Sequence, residues 1–414
     1  MRKWLKLLFL SLTFPIQAQQ LGFALEQING QAIIDAGLTG KGVKIGVIDG
    51  DFLGAEKNES LRHLFESNRI AGYKDYLNPE SKPFSGSRGF DDGHGTEVLE
   101  LIAGQNAEKQ VQYGLATEAT FYLARTDHGG YESRKEEKNA IEAMEWMAKE
   151  GVRIINISLG YNFGYTNKLE NYQPQQMDGK STILTQAIDR ISNQYDILFI
   201  VAAGNDGNKK WRIVGSPGDS KHALTVGATK FKVWDKMSYS SEGPEWLDYV
   251  KPEISCFSTL GTSFSTPIIT GLAACLLEKD PSATTEELKS AIINSGNLTY
   301  PNNYIGHGVP DGEIALLALD RSDTLWDDVK RTAKKSFKLT LSNSSIYVTV
   351  YHKNGWKVLK KETIRTTKTN LKIRRKADAT SSTVISEGGS LEVVWENKYQ
   401  DSVHSFSPSS SYRK

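Results

Sequence analysis

Gly261-Thr262-Ser263-Phe264-Ser265-Thr266-Pro267 runs straight into the apolar segment 268–277, and the reading of this junction decides the fold. A Gly-Thr-Ser turn that feeds a helix puts the Ser263 hydroxyl at the positive end of the helix dipole, where backbone N–H groups lack intrahelical partners and can face an anion. An acyl-transfer nucleophile is well served by that seat. Pro267 fits a first helical turn, because the N–H it lacks would be unpaired there. Taken alone, the heptapeptide also reads as a Ser/Thr-rich cap without chemistry. Residues far upstream separate the two readings.

From Gly42 onward, short apolar runs at 43–48, 121–124, 152–157, 197–202 and 223–226 alternate with helical periodicity at 97–103, 135–149 and 183–195. This alternation predicts an α/β fold, a mostly parallel sheet with helices on both faces. Continuous apolar strands imply burial on both sides. In such sheets ligands bind outside the carboxyl ends of the strands, and the chemistry-bearing residues of this chain fall there. The first run ends in Asp49-Gly50, a carboxylate that needs a partner if buried. His94 is the candidate partner, in Asp91-Asp92-Gly93-His94-Gly95-Thr96-Glu97, where glycine on either side lets backbone approach the ring closely. The third run ends in Ser158-Leu159-Gly160 and the fourth in Ala202-Ala203-Gly204-Asn205. Ser158, Leu159, Gly160, Ala203 and Gly204 are small or apolar and leave room for an extended peptide to lie alongside as a strand. Asn205 can offer a neutral N–H donor to a developing oxyanion.

In the order Asp49, His94, Asn205, Ser263, the chain resembles the subtilisin-like serine peptidases over roughly residues 20–318. The resemblance implies the subtilase three-layer sandwich, with Ser263 as nucleophile, His94 as general base then acid, Asp49 as its orienter and Asn205 as side-chain oxyanion donor. The roles agree with elementary chemistry: a serine hydroxyl needs a base within reach, and that base needs its other nitrogen fixed. The chain departs from the family pattern at the short segment between Lys251 and Gly261, read as a crevice loop. It departs again at Leu260, where the family commonly has asparagine, and at 19–48, which leaves no space for a propeptide. The shortened crevice loop, together with the Lys- and Arg-rich part at 330–376, favours a second reading, a peptide-binding or adhesive protein on the same scaffold.

The remaining features bound the partners. With 50 Lys+Arg against 49 Asp+Glu in 414 residues, bulk charge argues against a nucleic-acid binder. Peptide or protein is the expected substrate, for a monomer without a cofactor. No calcium-ligand pattern stands out, and Asp51, Asp75, Asp91 and Asp92 read equally well as surface carboxylates. His307, in a Gly-flanked turn, reads as structural. Cys256 and Cys275 cannot make a disulfide scaffold; buried inert thiols or a single bridge are the alternatives. Residues 1–18 combine basic Arg2, Lys3 and Lys6 with a short apolar core, the pattern of an export signal, which implies a secreted or periplasmic protein. The expected divisions are this signal, a peptidase domain at 19–322, a small β-rich domain at 323–400 and a Ser-rich disordered tail at 401–414. Between Lys330 and Lys376 the only acid is Glu362, so the β-rich part could hold an anionic envelope surface.

Overall fold

The computed structural model describes residues 20–85, 93–129, 132–230, 233–298, 301–319, 328–332, 334–340, 347–354, 357–366, 368–386 and 389–395. The expected signal at 1–18, the tail at 401–414, and Asp91 and Asp92 lie outside them. Seven strands form the central sheet: β1 (Lys44–Asp49), β2 (Ile70–Asp75), β3 (Thr120–Arg125), β4 (Ile154–Ile157), β5 (Leu198–Ala202), β6 (Ala223–Thr229) and β7 (Ile254–Phe257). Their spatial order is β7-β6-β5-β4-β1-β3-β2, parallel throughout. The fold is the expected α/β sandwich.

Among the described residues, the longer helices that cover it are α1 (His94–Ala103), α2 (Arg134–Lys149), α3 (Ile183–Tyr195), α4 (Thr266–Lys279), α5 (Thr285–Asn294) and α6 (Gly312–Leu319). Alternation of side chains along each strand divides the interior into two cores. Ile45 and Val47 of β1 join α1, α4, α5 and α6 on one face. Ile48, one residue on, joins α2 and α3 on the other. The helix starts are specified locally. Ser133 with Glu136 and Thr284 with Glu287 form capping boxes, and the Thr182 hydroxyl accepts from Thr185 N–H. Helix α4 is buried from Thr266 to Leu277, apolar all round, because it runs between the sheet and neighbouring helices.

Two strands depart from the sequence reading. The segment before Ser263 is not wholly a loop: Ile254, Ser255 and Cys256 are buried in edge strand β7, paired to β6. Ser255 interrupts the apolar run there, so no continuous signal marks the strand. Strand β2 carries Gly72 and the exposed Lys74 at the other edge, so no continuous hydrophobic signal marks it.

Among the described residues, seven further strands follow: β8 (Asp328–Thr332), β9 (Ser336–Thr340), β10 (Tyr347–Asn354), β11 (Lys357–Arg365), β12 (Asn370–Arg374), β13 (Ser381–Ser386) and β14 (Gly389–Trp395). Five make a sheet in the order β8-β14-β13-β10-β11, and β9 pairs with β12. This part packs against the α/β unit through Tyr351, which is wholly buried in the larger core, 5.2 Å from Trp234 between ring centroids. Among the described residues, no helix is long and apolar enough to cross a membrane.

Candidate active site

Strand β1 delivers Asp49 to the carboxyl edge of the sheet with no exposed surface. Its Oδ1 lies 2.6 Å from His94 Nδ1 and accepts from Gly50 N–H at 2.8 Å. His94 is the first residue of α1, and the next residue has to be glycine. A Cβ on Gly95 would stand 2.4 Å from the Asp51 carbonyl oxygen and 3.0 Å from Asp49 Cβ. The absent side chain is what lets α1 sit close enough for the ring to reach the carboxylate. Phe264 packs on the imidazole, with ring centroids 5.2 Å apart and planes at 52°. Asp49 thus holds the ring in its plane and Phe264 lies against its face.

Ser263 stands in the 3₁₀ turn Thr262–Phe264 ahead of α4. Its hydroxyl donates to the Ser158 carbonyl oxygen at 3.1 Å, and the Ser158 hydroxyl donates back to the Ser263 carbonyl at 2.9 Å. Behind Ser158 the chain of bonds continues: Asn156 Nδ2 donates to Ser158 Oγ at 3.0 Å, and Thr270 Oγ1 of α4 donates to Asn156 Oδ1 at 2.8 Å. Strand β4 and helix α4 are therefore joined beneath the serine.

Asn205 follows β5 on the opposite wall. Its Oδ1 accepts from Thr262 N–H at 2.9 Å and from Thr262 Oγ1 at 3.2 Å, which fixes the amide and leaves Nδ2 as its donor end. Gly261 has φ +155°, and a Cβ there would crowd that Nδ2 at 3.1 Å. The glycine of the Gly-Thr-Ser turn is thus required by both backbone and amide.

One cleft of about 830 Å³ is lined by His94, Ser158, Leu159, Gly160, Ala203, Gly204, Asn205 and Ser263. Every site residue expected from sequence except Asp49 lines it, and Asp49 is buried behind His94. The sequence reading missed Asp127, Glu132, Asn162, Phe163 and Phe264, which share the cleft. Asp127 was within reach, since it follows β3 at the same carboxyl edge that pointed to the others.

Asp51 and Asp75 are buried rather than on the surface. Both pair with Arg125, whose Nε lies 3.2 Å from Asp51 and Nη1 3.0 Å from Asp75. Strand β3 places that guanidinium beside them. Against the effect of burial, Asn78 N–H, the Ser81 hydroxyl and Arg125 hold the Asp75 pKa below its ordinary value. Asp127, His128 and Glu136 offer ligand atoms within 4.8 Å of one another. They already bond internally: Asp127 accepts from Gly129 N–H and Tyr161 OH, and Glu136 from Ser133 N–H. Cys256 and Cys275 are both free and buried, and burial pushes both thiols above their ordinary range. Burial lowers the pKa of His307, which donates its backbone N–H to the Glu253 carbonyl at 2.7 Å.

The model of the subtilase family matches residues 40–308. The chain is similar to subtilisin E of Bacillus subtilis (strain 168), 28% identical over 312 residues that cover 72% of each chain. It is likewise similar to subtilisin BL of Lederbergia lenta, 26% identical over 307 residues, 72% of this chain and 99% of the other. Among solved structures, the MycP3 protease from the type VII (ESX-3) secretion system superposes with a TM-score of 0.54 at 20% identity, covering 73% of this chain and 89% of the other. A mutant of the protease domain of PatA gives 0.53 at 20% identity, covering 69% and 98%.

Proposed function

The chain belongs to the subtilase family, a family of serine peptidases, and from that premise we propose that it hydrolyses peptide bonds through Asp49, His94 and Ser263. The observation that carries this reading is the 2.6 Å contact between His94 Nδ1 and the buried Asp49 in the cleft that holds Ser263. Ser263 Oγ attacks the carbonyl carbon while His94 Nε2 takes its proton. Asp49 keeps Nδ1 protonated, so that Nε2 serves as the base. Asn205 Nδ2 and the Ser263 backbone N–H donate to the oxyanion. His94 then passes the proton to the leaving amine, and water resolves the acyl-enzyme by the same steps in reverse order of roles. The peptide lies along Ser158, Leu159 and Gly160 on one wall and Ala203 and Gly204 on the other. No cofactor enters. The substrate is a peptide or protein outside the cytoplasm, and the chain acts as a monomer.

One observation favours the second reading, peptide binding without cleavage. The Ser263 hydroxyl donates to the Ser158 carbonyl, and its proton must turn to His94 before attack. Labelling with a fluorophosphonate separates the two. Wild-type chain should be labelled and should cleave peptides, and Ser263→Ala should do neither. Folded wild type that takes no label would leave only the binding reading.

A further inference from the structure

Glu132 stands in the wall of the cleft beside Asn162, Phe163 and Gly164. It forms an isolated parallel bridge with Tyr165, and the would-be Cβ of Gly164 is 3.8 Å from its Cγ. Its Oε2 is buried and has no hydrogen-bond partner. A covered carboxylate oxygen left unpaired is costly, so a partner that arrives with a ligand would relieve it.

The neighbouring charges give that partner a sign. Asp127, Glu136 and Glu137 all bear on Glu132. Arg134, two residues on, pairs with Glu137 at 2.6 Å, and Lys209 of the same cleft pairs with Asp206 at 3.0 Å. Burial together with the surrounding carboxylates pushes the Glu132 acid up to about 8. A cationic side chain would both bond the orphaned oxygen and offset the like charges. An acidic one would add to them.

The direction of the substrate follows from the roles already given, and the inference rests on the peptidase reading. His94 protonates the leaving amine, so the leaving half of the peptide passes His94 and Phe264. The acyl half runs the other way, along the Ser158–Gly160 edge toward Asn162 and Glu132. An extended chain advances about 3.3 Å per residue. We propose that Glu132 selects substrates with lysine or arginine on the acyl side, roughly two to four residues before the cleaved bond.

Quenched fluorescent peptides that vary only in those positions, carrying Lys, Arg, norleucine or Glu, test this on the full chain. Active serine is counted by fluorophosphonate labelling. The basic peptides should exceed the norleucine peptide in kcat/KM by about tenfold or more at one position. That ratio should collapse in Glu132→Gln and turn toward the Glu peptide in Glu132→Lys. Labelled enzyme that cleaves without a basic preference, or keeps its preference in both variants, overturns the proposal and leaves the peptidase reading intact. A preference that disappears when calcium or zinc is added, and returns with chelator, would assign the carboxylates to a metal and overturn it too. Failure of labelling and cleavage together would remove the peptidase reading and this inference with it.

Discussion

At the residue scale, the site depends on a few polar atoms with fixed orientation. Asp49 Oδ1 binds His94, while its Oδ2 is buried without a hydrogen-bond partner, so the carboxylate has a single working contact with the ring. Asp49→Asn should preserve the thermal midpoint yet lower kcat/KM by about 10⁴-fold, because the amide stabilises the wrong imidazole tautomer. A loss below about tenfold would take Asp49 out of the mechanism. Asn205→Ala should lower kcat by about 10²–10³-fold with KM little changed, since the lost donor serves the transition state; a loss confined to KM would make it a binding residue only. Glu132 also has a consequence for stability. Its acid rises from 4.5 to about 8 on folding, and that of Glu136 to about 7. Between those values the folded chain holds protons that the unfolded chain has released, so stability falls as pH rises. The thermal midpoint should drop from pH 5 to pH 8, and Glu132→Gln should shrink that drop. An identical drop in the variant would show that Glu132 is already ionised in the folded chain.

At the scale of elements, the geometry of the site depends on how closely helices meet strands. Gly95 is where α1 meets β1, and Gly95→Ala would drive a methyl group into the Asp51 carbonyl oxygen and against Asp49. The helix must move, taking His94 with it, so kcat/KM should fall by at least about tenfold even where the thermal midpoint falls only moderately; a misplacement of about 1 Å alone costs about 10²-fold. Full activity in this variant would mean that the helix can shift without moving the ring. The link between β4 and α4 works differently. Thr270→Val keeps shape but leaves the buried Asn156 Oδ1 short of its donor. It should cost about 1–3 kcal/mol in unfolding free energy, measured by denaturant titration.

At the scale of the molecule, the β-rich part is seated on the α/β unit by specific contacts. Buried Asp311 accepts from Tyr351 OH at 2.9 Å, Lys361 Nζ at 3.1 Å and Asn29 Nδ2 at 3.0 Å, which ties both ends of the described chain to one carboxylate. Lys361 therefore contributes to internal packing as well as to the basic character of this part. We propose the domain boundary near residue 322, and a chain ending at Ser322 should still cleave a small peptide. It should also unfold at a lower temperature, because Asp311 loses two donors and Trp234 loses its cover. An inactive or insoluble truncation would make the β-rich part integral to the peptidase. The exposed charge on this part is uneven: Lys338 and Lys372 lie directly opposite each other across the β9–β12 pair and line a cavity of about 640 Å³ with Lys334. Like charges so placed repel unless an anion lies between them. Retention on anionic envelope polymer should therefore decline steeply with salt, as expected for contacts screened within about 10 Å at about 0.1 M, and should be lost on truncation.

The parallel sheet was legible because β1, β4 and β5 are buried on both faces, and burial of that kind writes a continuous apolar run into the chain. The four residues Asp49, His94, Asn205 and Ser263 stood out because each lies beside a glycine where a strand ends or a helix begins, and such junctions need glycine for local backbone reasons. Strands β2 and β7 were not, since edge strands of mixed polarity carry no such signal. Sequence also could not show that Asp51 and Asp75 share Arg125, that Phe264 lies on His94, or that Tyr351 reaches Asp311. Those contacts join residues far apart in the chain, and no local periodicity encodes them. Least legible of all was Glu132. Its environment is set by which carboxylates the packing of α2 against the sheet brings beside it, and by which cations the same packing has already paired. Only the tertiary structure decides that, because the energy of a charge depends on what surrounds it rather than on its neighbours in the chain.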